Sequence, residues 1–219
     1  MDTSQIKMVT YAPELDENFE FTSFLRVKRI IPSAGHSSAT SEQMELAYKH
    51  GVKQVTHLFN AMAPLHHRQP GIIGEALVND GIYTEIIPDG VHVDYKILEL
   101  VLKTKPLDKV IFVSDSLPLN QAMSESMTFG EQEIFKKEGK AVNSEGTMAG
   151  SLTFLDEAMR KLAKDRLVTM SNFLRYASLN VANNLAMPHL GYLAPGNLAD
   201  LVFWDDQNDF EVQMTFING

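Results

Sequence analysis

Short apolar runs alternate with amphipathic stretches along the first two-thirds of the chain, and each run closes on a polar or glycine-containing turn. Lys7 to Tyr11 reads as a strand closed by Ala12-Pro13-Glu14. Arg29 to Ser33 reads as a second, ending at Gly35-His36-Ser37. Thr40-Ser41-Glu42-Gln43 has the form of a capping box, with Gly51 placed to stop the helix it opens. Val52 to Leu58 and Ile82 to Ile87 supply the third and fourth strands, and a helical run follows around Tyr95 to Lys103. Val110-Ile111-Phe112-Val113 is the fifth strand and ends at Ser114-Asp115. Strands alternating with helices imply an α/β chain with a parallel sheet and right-handed crossovers.

The rhythm changes between residues 117 and 150, where four glycines and short alternating runs suggest hairpins or a loop. Leu152, Leu155, Met159 and Leu162 then recur at helical spacing, as do Met170, Phe173, Leu174 and Ala177. Such stripes usually face a core. Asp200 to Asp205 and Val212 to Ile217 read as two closing strands. Five strand-helix units are too few for a closed eight-stranded barrel, which takes about 250 residues. The chain therefore reads as a fragment or a shortened product.

Polar residues with chemical capacity sit just after the strand cores: His36, His57, His92 and Asp115. In parallel α/β architectures, sites are built at the carboxyl ends of strands. The separation 57 − 36 = 21 matches about one strand-helix-strand repeat, so both imidazoles would point into one mouth. There they would hold a divalent ion; the alternative is a pair of hydrogen-bonded interior or loop histidines. Asp115 suits a general base for a metal-activated water, or else a simple turn or cap residue. Backbone amides at Asn60 and Ala61 with Arg68 nearby would suit a phosphate, unless Arg68 is only a solvated loop residue. His92 is a candidate substrate contact, His50 suits the end of a helix, and His189 a loop.

Composition narrows the chemistry. No cysteine is present, so any metal must be held by histidine, carboxylate or carbonyl groups, a set that accepts zinc, iron and other divalent ions. A net charge of −9 argues against a nucleic-acid groove and requires local positive charge for a phosphorylated ligand. No apolar run approaches the 18 or so residues needed to cross a membrane. The start lacks the basic and apolar stretches of a leader, so a cytoplasmic location is expected.

An ordered set of segments resembles the N-acetylglucosamine-6-phosphate deacetylase family of the amidohydrolase superfamily. The carrying segments are Ala12-Pro13-Glu14, Ser33-Ala34-Gly35-His36-Ser37, Thr56-His57-Leu58-Phe59-Asn60-Ala61-Met62 and Pro70-Gly71-Ile72-Ile73-Gly74. They continue with Asp89-Gly90-Val91-His92-Val93-Asp94, Ser114-Asp115, Gly146-Thr147-Met148-Ala149-Gly150-Ser151 and the stretch from Gly191 to Val202. The resemblance implies a partial (β/α)8 TIM-type barrel, about strands 4 to 8, in residues 1–190. It implies strands of a small β-sandwich domain in 191–219. It also implies cleavage of N-acetylglucosamine 6-phosphate to acetate and glucosamine 6-phosphate in amino-sugar catabolism, with one divalent ion.

By that likeness His36 and His57 are metal ligands, Asp115 is the acid/base, Asn60, Ala61 and Arg68 grip the phosphate, and His92 contacts the sugar. Met148 would lie near the acetyl group. Arg68 and His92 would reach into a neighbouring subunit, which implies a homodimer. The family's His-Leu-Glu-Gly-Pro segment, which carries its carboxylate ligand, has no counterpart here, and neither does its carbonyl-polarising histidine. The chain alone is therefore expected to be poorly active. Glu14 is a conceivable substitute ligand, although the family carries the same Ala-Pro-Glu without using it so. Alternatives are an inactive remnant that oligomerises, or an amidohydrolase acting on a cyclic amide.

Overall fold

The computed structural model describes residues 5–219; Met1 to Ser4, part of the start read above as lacking a leader, lie outside the described residues. The first unit runs β1 (Met8–Tyr11), α1 (Glu20–Val27), β2 (Ile31–Ala34), α2 (Ser41–His50) and β3 (Gln54–Val55). It continues with α3 (Gly71–Val78), β4 (Tyr83–Ile86), α4 (Tyr95–Thr104) and β5 (Val110–Phe112). All four strand pairings are parallel, and the sheet order β1-β2-β3-β4-β5 is sequential. The fold is α/β. A sequential order differs from that of doubly wound sheets, in which the order reverses at a switch point.

Local chemistry explains the element ends. The Thr40 side chain accepts from the Gln43 amide at 3.2 Å, and Gln43 Oε1 accepts from the Thr40 amide at 2.8 Å, so the capping box forms as read. Gly51 ends α2 at φ +119, a conformation costly for any residue with a Cβ. His50, in the last turn of α2, stacks on Phe19 with ring centroids 4.0 Å apart. The strand expected over Val52 to Leu58 pairs only at Gln54–Val55, because the chain turns into a left-handed conformation at His57. Helix α3 carries buried Ile72, Ile73, Gly74, Ala76 and Leu77, which leaves no polar stripe to announce it.

The irregular middle is an antiparallel meander of β6 (Ser126–Phe129), β7 (Gln132–Lys137), β8 (Lys140–Asn143) and β9 (Met148–Gly150). Helices α5 (Leu155–Lys164), α6 (Met170–Leu174) and α7 (Asn180–Asn184) follow, with a π-helical turn at Arg175–Leu179 between the last two. The main core joins strand residues Val55, Ile86, Val110 and Phe112 to helix residues Met44, Ile72, Leu98, Met159, Phe173 and Tyr176. Asn180, fully buried, donates to Leu107 O at 2.9 Å and Val110 O at 2.7 Å and so fastens α7 to β5. The last two strands, β10 (Leu201–Asp205) and β11 (Glu211–Phe216), form a separate antiparallel ribbon.

One buried charge makes stability depend on pH. Lys105 is 4% exposed, and its ammonium donates to Ala76 O at 2.9 Å and Asn79 O at 2.7 Å, closing the end of α3. Burial pushes its pKa down to about 8, with Lys109 acting the same way and Asp80 opposing. Between pH 8 and 10.5 the unfolded chain therefore holds more protons than the folded one, so stability rises with pH across that window. The urea midpoint of the wild type should climb from pH 8 to about pH 10 relative to that of Lys105→Met. After discounting for solvent screening, the difference should be on the order of 1 kcal/mol. Parallel pH profiles for the two proteins would show this account of Lys105 to be wrong.

Candidate active site

Three of the four chemically capable strand-end residues adopt backbone conformations that L-amino acids avoid. His36 follows β2 at φ +49, His57 follows β3 at φ +32, and Asp115 follows β5 at φ +48. Each conformation costs roughly 1–2 kcal/mol. All three lie beyond the carboxyl ends of parallel strands, which places the strain on one rim of the sheet. Phe59 and Ala61 continue it at φ +79 and +50. Close packing holds the turn before His36. A Cβ on Gly35 would come within 2.6 Å of Thr10 Cγ2 and 3.0 Å of Thr56 Cβ, so only glycine fits there. The Thr56 hydroxyl bonds those of Thr10 at 2.8 Å and Ser33 at 2.7 Å, tying β1, β2 and the end of β3 together beneath the rim.

The two histidines converge. Their Nε2 atoms are 3.0 Å apart, and their rings meet edge to face at a centroid distance of 4.7 Å. His57 is 6% exposed, whereas His36 faces solvent. Burial lowers the His57 pKa and keeps the ring neutral; the charge of Asp115 opposes this, and His36 and His92 reinforce it. Nitrogen ligands at about 2.0–2.1 Å from one ion lie about 2.9–3.4 Å apart for angles between 90° and tetrahedral. The observed separation falls in that range, so the pair fits two adjacent positions of a divalent ion. Among the described residues, no group of three or more histidine, cysteine or carboxylate side chains is gathered to hold one. His57 Nδ1 is buried without a hydrogen-bond partner.

His92 belongs to the same neighbourhood. Its Nδ1 lies 2.8 Å from Asp89 Oδ2, and its Nε2 is buried without a partner. Burial works against ionisation of Asp89. The His92 ring and the His92 and Val91 amides outweigh it, holding the carboxyl below the usual range. That contact fixes which His92 nitrogen is left to meet a ligand. His92 is also the smallest of the influences that lower the His57 pKa.

The remaining sequence candidates are less gathered. Asn60 turns its Nδ2 back onto His57 O at 3.2 Å and Leu58 O at 3.3 Å. Ala61 is exposed. Arg68 points to solvent from the turn at His66–Gln69 and contacts His67 Nε2 at 2.8 Å through Nη1. Met148 opens β9 and is 39% exposed. Its strand reaches the rim through Ser151, whose amide donates to Asp115 O at 2.8 Å and whose carbonyl accepts from Leu117 at 3.0 Å. Both oxygens of Glu14, the conceivable substitute ligand, accept hydrogen bonds, Oε2 from the Ser37 hydroxyl and Oε1 from the Ser38 amide.

Sequence reasoning passed over Glu85, which lies inside β4 in the run Tyr-Thr-Glu-Ile. It is 6% exposed and accepts from Gln54, which in turn accepts from Asn184. Burial pushes its carboxyl up to about 7; Asp115 adds to the effect, while the His57 amide and Gln54 oppose it. A cavity of about 340 Å³ beside β5 is lined by Glu85, Gln54, Asp115 and Asn184 among apolar neighbours. A charged residue within an apolar strand was the available signal.

Residues 24–219 match the family model described as "Amidohydrolase family". The chain belongs to the amidohydrolase family. This amidohydrolase chain is 36% identical over 215 residues to an N-acetylglucosamine-6-phosphate deacetylase of Bacillus subtilis (strain 168), covering 98% of this chain and 54% of that protein. The crystal structure of such a deacetylase from Thermotoga maritima superposes with a TM-score of 0.91 at 37% identity, covering 99% of this chain and 59% of that one. One from Pasteurella multocida gives 0.91 at 33% identity, covering 98% and 56%. The amidohydrolase chain therefore spans about half the length of the curated relatives it matches.

Proposed function

We propose that this chain is the carboxy-terminal part of an N-acetylglucosamine-6-phosphate deacetylase, acting in amino-sugar catabolism. It would contribute strands four to eight of a (β/α)8 barrel and, in the ribbon from Leu201 to Phe216, strands of a small β domain. The observation that carries this reading is the 3.0 Å approach of His36 Nε2 to His57 Nε2, within the field of Asp115, on one strained rim. His36 and His57 would supply two ligands of a divalent ion, zinc or iron. When bound, that ion supplies Lewis-acid polarisation of the amide and a more acidic water.

Asp115 acts on protons. An exposed carboxylate on the rim takes the proton of the attacking water, then returns it to the departing amine. His92, with Nδ1 committed to Asp89, presents Nε2 to the sugar. Asn60, Ala61 and Arg68 receive the phosphate, and Met148 borders the acetyl group. The outward reach of Arg68 from the turn at His66–Gln69 supports a homodimer in which Arg68 serves the neighbouring site.

The test combines turnover with binding. With divalent cation present, the chain should bind N-acetylglucosamine 6-phosphate at least about tenfold more tightly than N-acetylglucosamine, and Arg68→Ala should erase that preference. Any release of glucosamine 6-phosphate should fall by about 10²–10⁴ in Asp115→Asn. Equal affinity for the two sugars, or undiminished turnover in Asp115→Asn, overturns the assignment.

A further inference from the structure

We propose that Glu14 is the positioning residue for His36, gripping the turn behind it so that the His36 ring stays aimed at His57. This rests on the reading of His36 and His57 as a ligand pair. His36 is exposed and sits at a positive φ, so its backbone conformation must be imposed from outside. On the amino-terminal side, Gly35 is wedged between Thr10 and Thr56. On the carboxy-terminal side, Glu14 takes both anchors. The Ser37 hydroxyl donates to Glu14 Oε2 at 2.6 Å, and the Ser38 amide donates to Glu14 Oε1 at 2.7 Å.

These are tertiary contacts spanning 23 and 24 residues, from the turn after β1 to the turn after β2. A carboxylate accepting two such donors forms strong, short, charge-assisted bonds. Ser37 is 1% exposed, and its hydroxyl oxygen also accepts the Ala39 amide at 3.1 Å. If the carboxylate is lost, a buried hydroxyl and an amide lose their partners together. Glu14 is itself fixed by the tight turn Pro13–Leu15, in which Pro13 is buried. The turn after β1 thus controls a ligand carried by β2. Partners that orient metal ligands are worth about 10–100-fold in metal affinity.

The experiment uses the whole chain in two states. In the metal-free protein, nuclear Overhauser contacts between the His36 and His57 ring protons should be present in wild type and in Glu14→Gln. They should be lost in Glu14→Ala. Titration with cobalt(II) alone, followed by its visible absorption, should show affinity falling about 10–100-fold in Glu14→Ala with an altered spectrum. Ser37→Ala should lose less, and Glu17→Ala on the neighbouring exposed turn should match wild type.

If Glu14→Ala does not fold, the ring contacts and cobalt affinity of Ser37→Ala decide. Preserved ring contacts together with cobalt affinity within about twofold of wild type sink the positioning role. Failure of the wild-type chain to take up cobalt while the ring contacts respond as described sinks the ligand pair and leaves the positioning role standing.

Discussion

Replacing His57 with alanine should strip the chain of divalent metal, with affinity falling by roughly 100-fold or more. Outer partners of a ligand are already worth about 10–100-fold, and His57 would be the ligand itself. Its ring is buried, and that burial lowers its pKa and so favours the neutral form that a metal ligand needs. His36 is exposed and more easily displaced, so His36→Ala should cost less than His57→Ala. The double variant should lose little beyond His57→Ala, because a single remaining imidazole holds an ion weakly. Metal content after dialysis and calorimetric titration both read this. Retention of a full equivalent of metal by His57→Ala is the result the site could not survive.

The largest effect on stability should come from Phe112→Ala. Phe112 is 1% exposed and lies 4.9 Å from the Tyr176 ring and 5.5 Å from the Phe173 ring, centroid to centroid. Truncation leaves a cavity at the junction between β5 and the carboxy-terminal helices, and changes of this kind cost about 3–5 kcal/mol. Phe112→Leu keeps most of the volume and should cost well under half as much. Urea denaturation of the three proteins reads the difference. A loss under about 1 kcal/mol for Phe112→Ala would mean that α6 and the π-helical turn are not docked on β5 as described.

Thr40 and Gln43 made their capping box as read, since every contact in it lies within four residues. The five parallel strands were legible because each lies in a β-rich stretch that ends in a turn. Helices α1 and α3 were not. The near-continuous apolar run of α3 has no polar face to set a period, because it is covered on both sides. The stretch from Val52 to Leu58 looked like one long strand, but its pairing stops where His57 turns. Nothing in a histidine's identity announces a positive φ.

By itself, the sequence determined the five parallel strands, the cap and stop of α2, and which polar residues end the strands. These follow from short-range periodicity and from turn chemistry that a few neighbouring residues decide. Only the tertiary structure decided that His36 and His57 meet at 3.0 Å, that Glu14 holds the turn behind one of them, and that Glu85 is buried near the other. Those relations join residues 20 or more positions apart, and their geometry comes from strand register and packing, which no local pattern of side chains encodes.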